Sequence, residues 1–306
     1  MTLCRVQAPD QRVKDNRNEA APGNRLLSVA EVQQALRALR AREPSEAAPP
    51  LVPTELFIGA GQGGWPADAS LVQPIDGLGR WVSVVAAHAG AGASTVALAI
   101  ADAAAAVGRD AHLVETAYPA RSGLVTAAHA ELGLDPDGAW RRGSRGRVTI
   151  HRRADSDIPT GWPALLGSQD GLVVVDLGLP TPDSLTRFAA SGCRTVVVCR
   201  PTVPGVRLAE QLLNAVTGPV IIASLGGGRW PGEVNASLGP WLRELHAENA
   251  VVTVPTDRRL EVTGLTSSPL PKPVAAAGRS LLALIDAAHS DTTASTQSAP
   301  RRKGTE

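Results

Sequence analysis

Large aromatic side chains are scarce. Tyr occurs once and Phe twice, aromatics make up 3% of 306 residues, and there is a single Met. A core built without rings must rest on small aliphatic packing, and Ala, Val and Leu supply most of the 43% hydrophobic fraction. Cysteine is nearly absent as well. Cys4, Cys193 and Cys199 lack metal-ligand spacing, and two of them flank or occupy an apolar run. They read as reduced structural thiols rather than disulfides or a zinc site, which fits the cytoplasm. An excess of one charge is also missing: 30 basic against 29 acidic residues leave a net charge of +1. That balance argues against a globally electrostatic DNA binder and leaves room for a local basic patch. Long apolar runs do not occur. The alanine-rich stretch 96–107 is too short to span a bilayer, and the charged start MTLCRVQAPDQRVKDNRNEA is unlike a signal peptide. The expectation is a soluble cytoplasmic protein without membrane insertion.

The length accommodates one α/β domain of about 200–230 residues with extensions. Residues 1–50 read as a mostly disordered extension with a short helix near 28–42, where Val29, Val32, Leu36 and Leu39 share a face. That helix docks on the main domain or binds a partner. Residues 51–80 read as an irregular linker, 81–289 as the ordered domain, and 290–306 as a disordered tail. Within the domain, strands are expected at 81–87, 112–115, 147–150, 171–177, 194–200, 219–224 and 250–255. Most are apolar throughout, as in parallel strands covered on both faces. Helices are expected near 94–108, 122–133, 183–191, 204–216, 233–247, 257–265 and 274–288. Alternation of the two element types gives a doubly wound, mostly parallel α/β sheet in a three-layer sandwich.

The segment AAHAGAGASTVALAIA (86–101) joins the first strand to the first helix. A glycine-rich turn there can wrap backbone N–H groups around phosphate, and the helix N-terminus adds its positive dipole. Gly90 and Gly92 permit the tight turn, and Ser94 and Thr95 stand where hydroxyls reach phosphate and Mg²⁺. Against the pattern G-x-x-x-x-G-K-[ST], Gly92 and Ser94 fit, Ala87 replaces the first glycine, and Ala93 replaces the lysine.

The loop resembles the deviant Walker A motif K-G-G-x-G-K-[ST]-[ST] of the ParA/MinD family of P-loop NTPases (SIMIBI class). On that motif Gly90, Gly92, Ser94 and Thr95 match, while His88, Ala89 and Ala93 replace the first lysine, the first glycine and the second lysine. The resemblance continues over about residues 81–288. LVETAYP (113–119) keeps one acid of the family's D-x-D pair, Glu115, with Ala117 at the second. GLVVVDLGLP (171–180) resembles the Walker B strand and makes Asp176 a water-mediated Mg²⁺ partner, or else a cap of the following turn. In VVTVPTDRRLEVTGL (251–265), Pro255 and Asp257 match the segment bordering the adenine pocket. The wording AHAGAGAST is most similar to poorly characterised actinobacterial members associated with mobile elements and conjugation.

The resemblance implies ATP or ADP with Mg²⁺, a homodimer, and a protein partner in partition, positioning, conjugation or secretion. Loss of both lysines removes the fixed cations that stabilise a transferring phosphoryl group, so weak or no hydrolysis is expected. One alternative is an active ATPase in which His88 or a partner's arginine replaces the lysine. Another is an NAD(P)-binding Rossmann domain, with Gly90-x-Gly92-x-x-Thr95 as the fingerprint and Glu115 on the ribose. Arg141, Arg142 and Arg145 head the densest basic segment, read as a solvated edge or as a DNA or acidic-partner contact.

Overall fold

The computed structural model describes residues 80–155, 162, 163, 165, 171–180, 185 and 194–297. The chain divides into two units, 1–62 and 63–306, and all described residues belong to the second. The expected extension with its helix near 28–42, the linker up to residue 79, Cys4, Cys193, and nearly all of the helix expected at 183–191 lie outside them.

The elements are β1 (Arg80–Ala86), α1 (Ala93–Ala106), β2 (Ala111–Glu115), β3 (Ala130–Leu134), β4 (Trp140–Arg145), β5 (Val148–Arg153) and β6 (Leu172–Gly178). They continue with β7 (Arg194–Cys199), α2 (Val203–Leu213), β8 (Val220–Leu225), α3 (Gly232–Ala236), α4 (Pro240–Ala247), β9 (Val251–Val254), α5 (Arg258–Thr263) and α6 (Lys272–Gln297). One sheet runs β3-β4-β5-β2-β6-β1-β7-β8-β9. From β5 to β9 every pair is parallel, and β3 and β4 add an antiparallel edge. The expected mostly parallel α/β sheet is the fold.

Strand alternation divides the apolar side chains between two cores. Val82, Val84, Val174, Val196 and Val198 face the layer holding α1 and α6. Val85, Val173, Val175, Val197 and Cys199 face the layer holding α2, α3 and α4. Cys199 is a free, buried thiol whose pKa burial pushes up to about 12. With so few rings, close packing comes from backbone approach. A Cβ on Gly278 of α6 would lie 2.3 Å from the Ala99 carbonyl oxygen of α1, so the two helices cross almost backbone on backbone.

Two expectations are corrected. Residues 122–133 do not form a helix; a turn leads into β3, which pairs with β4 as a hairpin. The hairpin turn is Asp135-Pro136-Asp137-Gly138: Gly138 is left-handed (φ 72) and donates its N–H to the Asp135 carbonyl at 3.0 Å. The Asp135 side chain accepts the Trp140 N–H at 3.0 Å, and buried Trp140 anchors the returning strand. This turn chemistry overrides the helical propensity of the alanines before it. The single helix expected at 233–247 is two, because Pro240 lacks the N–H an uninterrupted helix requires. Glu210 of α2 caps the second piece, its carboxylate accepting the Trp241 and Leu242 N–H groups at 2.9 and 3.1 Å. At the other end of the domain, α6 continues to Gln297.

Candidate functional site

The C-terminal ends of β1, β2, β5 and β6 open on one cavity of about 410 Å³, lined by 88–95, Thr116, Ala117, Tyr118, Arg121, Arg153 and Asp176 among others. The loop after β1 forms its floor. The Ala87 N–H is held by the Val198 carbonyl, and the Ala91 N–H closes a turn on the His88 carbonyl. Gly92 then adopts φ 99 and ψ 28 as the N-cap of α1, with no side chain capping the helix. The first-turn N–H groups of α1 therefore have no side-chain cap, and Ala93, Ser94 and Thr95 line the cavity. Gly92 needs its missing side chain twice, since a Cβ would also meet Leu225 Cδ2 at 2.5 Å.

Asp176, 1% exposed at the end of β6, lies beside this turn. Burial pushes its pKa up, while the nearby Ser94 hydroxyl and the Gly178 N–H, 2.9 Å from Oδ1, oppose that shift. Its Oδ2 is buried without a hydrogen-bond partner. An orphaned carboxylate oxygen beside a serine hydroxyl suits a hard cation that keeps several waters, so Ser94 and Asp176 fit Mg²⁺.

Glu115 is placed differently from its sequence-based role. One carboxylate oxygen accepts the Ser122 hydroxyl and the other the Gly123 N–H at 2.8 Å. Burial, partly opposed by the Ser122 hydrogen bond, pushes its pKa up to about 7. It fixes the turn beneath Ser94 and does not line the cavity. Glu115 is therefore not placed to meet a ribose hydroxyl in this cavity. Strand order also departs from a Rossmann domain, in which the first two strands are neighbours. Here β6, carrying Asp176, lies between β1 and β2.

His88 lines the cavity, with both ring nitrogens close to backbone groups. A backbone N–H of Arg200 points at its Nε2 at 3.4 Å, and its Nδ1 lies 3.0 Å from the Ala89 carbonyl. The lysines of the chain are Lys14, Lys272 and Lys303, and Lys272 opens α6 without lining the cavity. Its cationic lining is Arg121 and Arg153, neither of which the loop motif points to. Arg153 ends β5, is 6% exposed, and has its guanidinium 4.4 Å from the centre of the Tyr118 ring.

A smaller adjoining cavity of about 180 Å³ shares Gly90, Gly92 and Thr95 and is walled by Arg200, Leu225, Pro255 and Asp257. The structure thus places Pro255 and Asp257 on a cavity shared with the loop. The Asp257 carboxylate itself caps α5, accepting the Arg259 N–H at 2.8 Å.

The arginine segment is divided by β4. Arg141 is exposed, and Arg142 is half-buried with a donor on the Leu134 carbonyl. Arg145 is 4% exposed. It binds the Asp102 carboxylate at 2.8 Å and the carbonyls of Ala127, Thr266 and Ser268 at 2.8–2.9 Å. With its donors engaged inside, Arg145 is a structural clamp rather than a DNA contact.

No protein-family profile matches this chain, and no curated protein matches it. Among solved structures it is similar to a plasmid partition protein of Borrelia burgdorferi bound to AMPPNP, at 11% identity and TM-score 0.47, covering 69% of this chain and 99% of that one. It is similar to the septum site-determining protein MinD of Pyrococcus horikoshii complexed with Mg-ADP, at 17% identity and TM-score 0.48, covering 69% and 98%. It is also similar to apo McdA of Cyanthece, at 10% identity and TM-score 0.45, covering 67% and 98%. At TM-scores below 0.5 these likenesses assign no residue of this chain a role.

Proposed function

We propose that the chain is a ParA/MinD-like nucleotide-binding regulator or scaffold that holds ATP or ADP with Mg²⁺ and hydrolyses it weakly or not at all. The observation that carries this reading is the uncapped start of α1 at left-handed Gly92, opening on a cavity beside the orphaned Oδ2 of Asp176. Backbone N–H groups of 93–95 would hold phosphate, and Ser94 and Asp176 would hold the metal ion. Bound Mg²⁺ supplies charge neutralisation at the phosphates. Pro255 borders the smaller cavity, which suits a base. Weak hydrolysis follows from what lines the cavity: Ala93 stands in the lysine position and Ala117 where a second acid would orient water.

Such a protein acts through partners, and the resemblance of its motifs points to positioning, partition or a conjugation or secretion system, with a homodimer as the nucleotide-dependent form. The test is isothermal titration of the full chain with Mg-ATP, Mg-ADP and NAD(P), alongside radiolabelled ATP turnover. Adenine nucleotide binding without turnover supports the reading. Turnover abolished by both Ser94→Ala and Asp176→Ala would replace it with an active ATPase, and selective NAD(P) binding would overturn it.

A further inference from the structure

We propose that Arg153, seated on Tyr118 and joined by Arg121, is the cation that takes the terminal phosphate of a bound nucleoside triphosphate, and so makes the site distinguish tri- from diphosphate. This rests on the reading of the cavity as a nucleotide site. The strand order supplies the direction. The smaller cavity lies on the β8–β9 side of the loop, against Leu225 and Pro255. Arg153 lies on the opposite side, since β5 is separated from β1 by β6 and β2. At about 4.8 Å per strand, that is roughly 14 Å from the loop strand. A nucleotide with its base in the smaller cavity therefore directs its phosphate chain across the α1 N-terminus toward β2 and β5.

At that end the register places Arg153 one residue beyond the Arg152–Glu115 pair, level with Thr116. Thr116 in turn binds the Asp176 carbonyl through its N–H and its hydroxyl, both at 3.0 Å. The guanidinium is thereby on the same rim as the Asp176 strand, and Tyr118 restricts it to one side of the cavity. Arg121 reaches the cavity from the short 3₁₀ turn Pro119–Arg121. A guanidinium seated on a ring at the cavity wall loses little further freedom on meeting phosphate oxygens. The positive charge absent from Ala93 is thus supplied from the sheet, at the end of the phosphate chain rather than from the loop.

The experiment is isothermal titration of the full chain with Mg-ATP and Mg-ADP, for the wild type, Arg153→Gln, Arg153→Lys and Arg121→Gln, with thermal melts of each. The wild type is expected to prefer Mg-ATP. Arg153→Gln should weaken Mg-ATP about tenfold or more while Mg-ADP affinity, which also reports that the variant is folded, stays within about threefold. Arg153→Lys, which keeps the charge but not the fork, should retain part of the preference, and Arg121→Gln should reduce it. Equal wild-type affinities for the two nucleotides, or an unchanged ratio in folded Arg153→Gln, overturns the proposal and leaves the nucleotide site standing. If Arg153→Gln melts before it can be titrated, an unchanged ratio in Arg121→Gln, on an exposed turn, overturns it equally. A wild type that binds neither nucleotide removes the site reading as a whole.

Discussion

Glu115 and Asp176 are register partners at the ends of adjacent strands, both about 1% exposed, and only one faces the cavity. Glu115 has its pKa raised from an ordinary carboxylate value to about 7. Between about pH 4.5 and 7 the folded protein then holds more protons than the unfolded chain, so this residue makes stability fall as pH rises. Buried His151, lowered to about 3 by burial and by neighbouring His112 and Arg142, has the opposite sign: its contribution is lost as pH falls from about 6.5 to 3. Glu115→Gln should therefore gain stability relative to the wild type as pH rises from 4.5 to 7, by a few kcal/mol at the upper end. Paired thermal melts across that range check it; a constant difference between the two proteins would contradict it. At the loop, Gly92→Ala should cost about 1 kcal/mol or more through its φ of 99. It should also weaken Mg-ATP binding in the same titrations, because the turn that presents the α1 N–H groups must shift.

At the scale of elements, two contacts hold the frame around the site. Gly278 lets α6 lie on the Ala99 carbonyl of α1, so Gly278→Ala must separate the helices and should lose about 1–3 kcal/mol in denaturant unfolding. Arg145 ties α1 to the loops at 127 and 266–268, and Arg145→Ala, which strands the partly buried Asp102, should lose about 3–5 kcal/mol. The parallel strands and their order of appearance were legible because runs such as VVVDL and TVVVC are apolar on both faces. The hairpin β3–β4 was not. WRRGSR carries charge on a strand, and TAAHAEL before it has the composition of a helix. The turn residues Asp135-Pro136-Asp137-Gly138 were the available signal, and they outweigh propensity once Trp140 is buried. The loop residues of the site were legible from glycine and hydroxyl spacing. Arg153 and Tyr118 were not, because their meeting depends on β5 lying beside β2, a non-local pairing no local pattern encodes.

Across the whole molecule, the site lies at the carboxyl edge of a parallel sheet, where a single carboxylate, two arginines and an uncapped helix start converge. No helix among the described residues is long and apolar enough to cross a membrane. On the proposed reading, a phosphate cradle at Gly90, Gly92, Ser94 and Thr95 would be combined with alanine at positions 93 and 117. Such a site would hold a nucleotide without the groups that drive its cleavage. The most direct measurement is therefore a paired one on a single sample of the full chain: isothermal titration with Mg-ATP and radiolabelled ATP turnover, each repeated with Asp176→Ala. Saturable Mg-ATP binding that Asp176→Ala weakens, with turnover at background, is the predicted result; absence of binding, or turnover that Asp176→Ala abolishes, would contradict it.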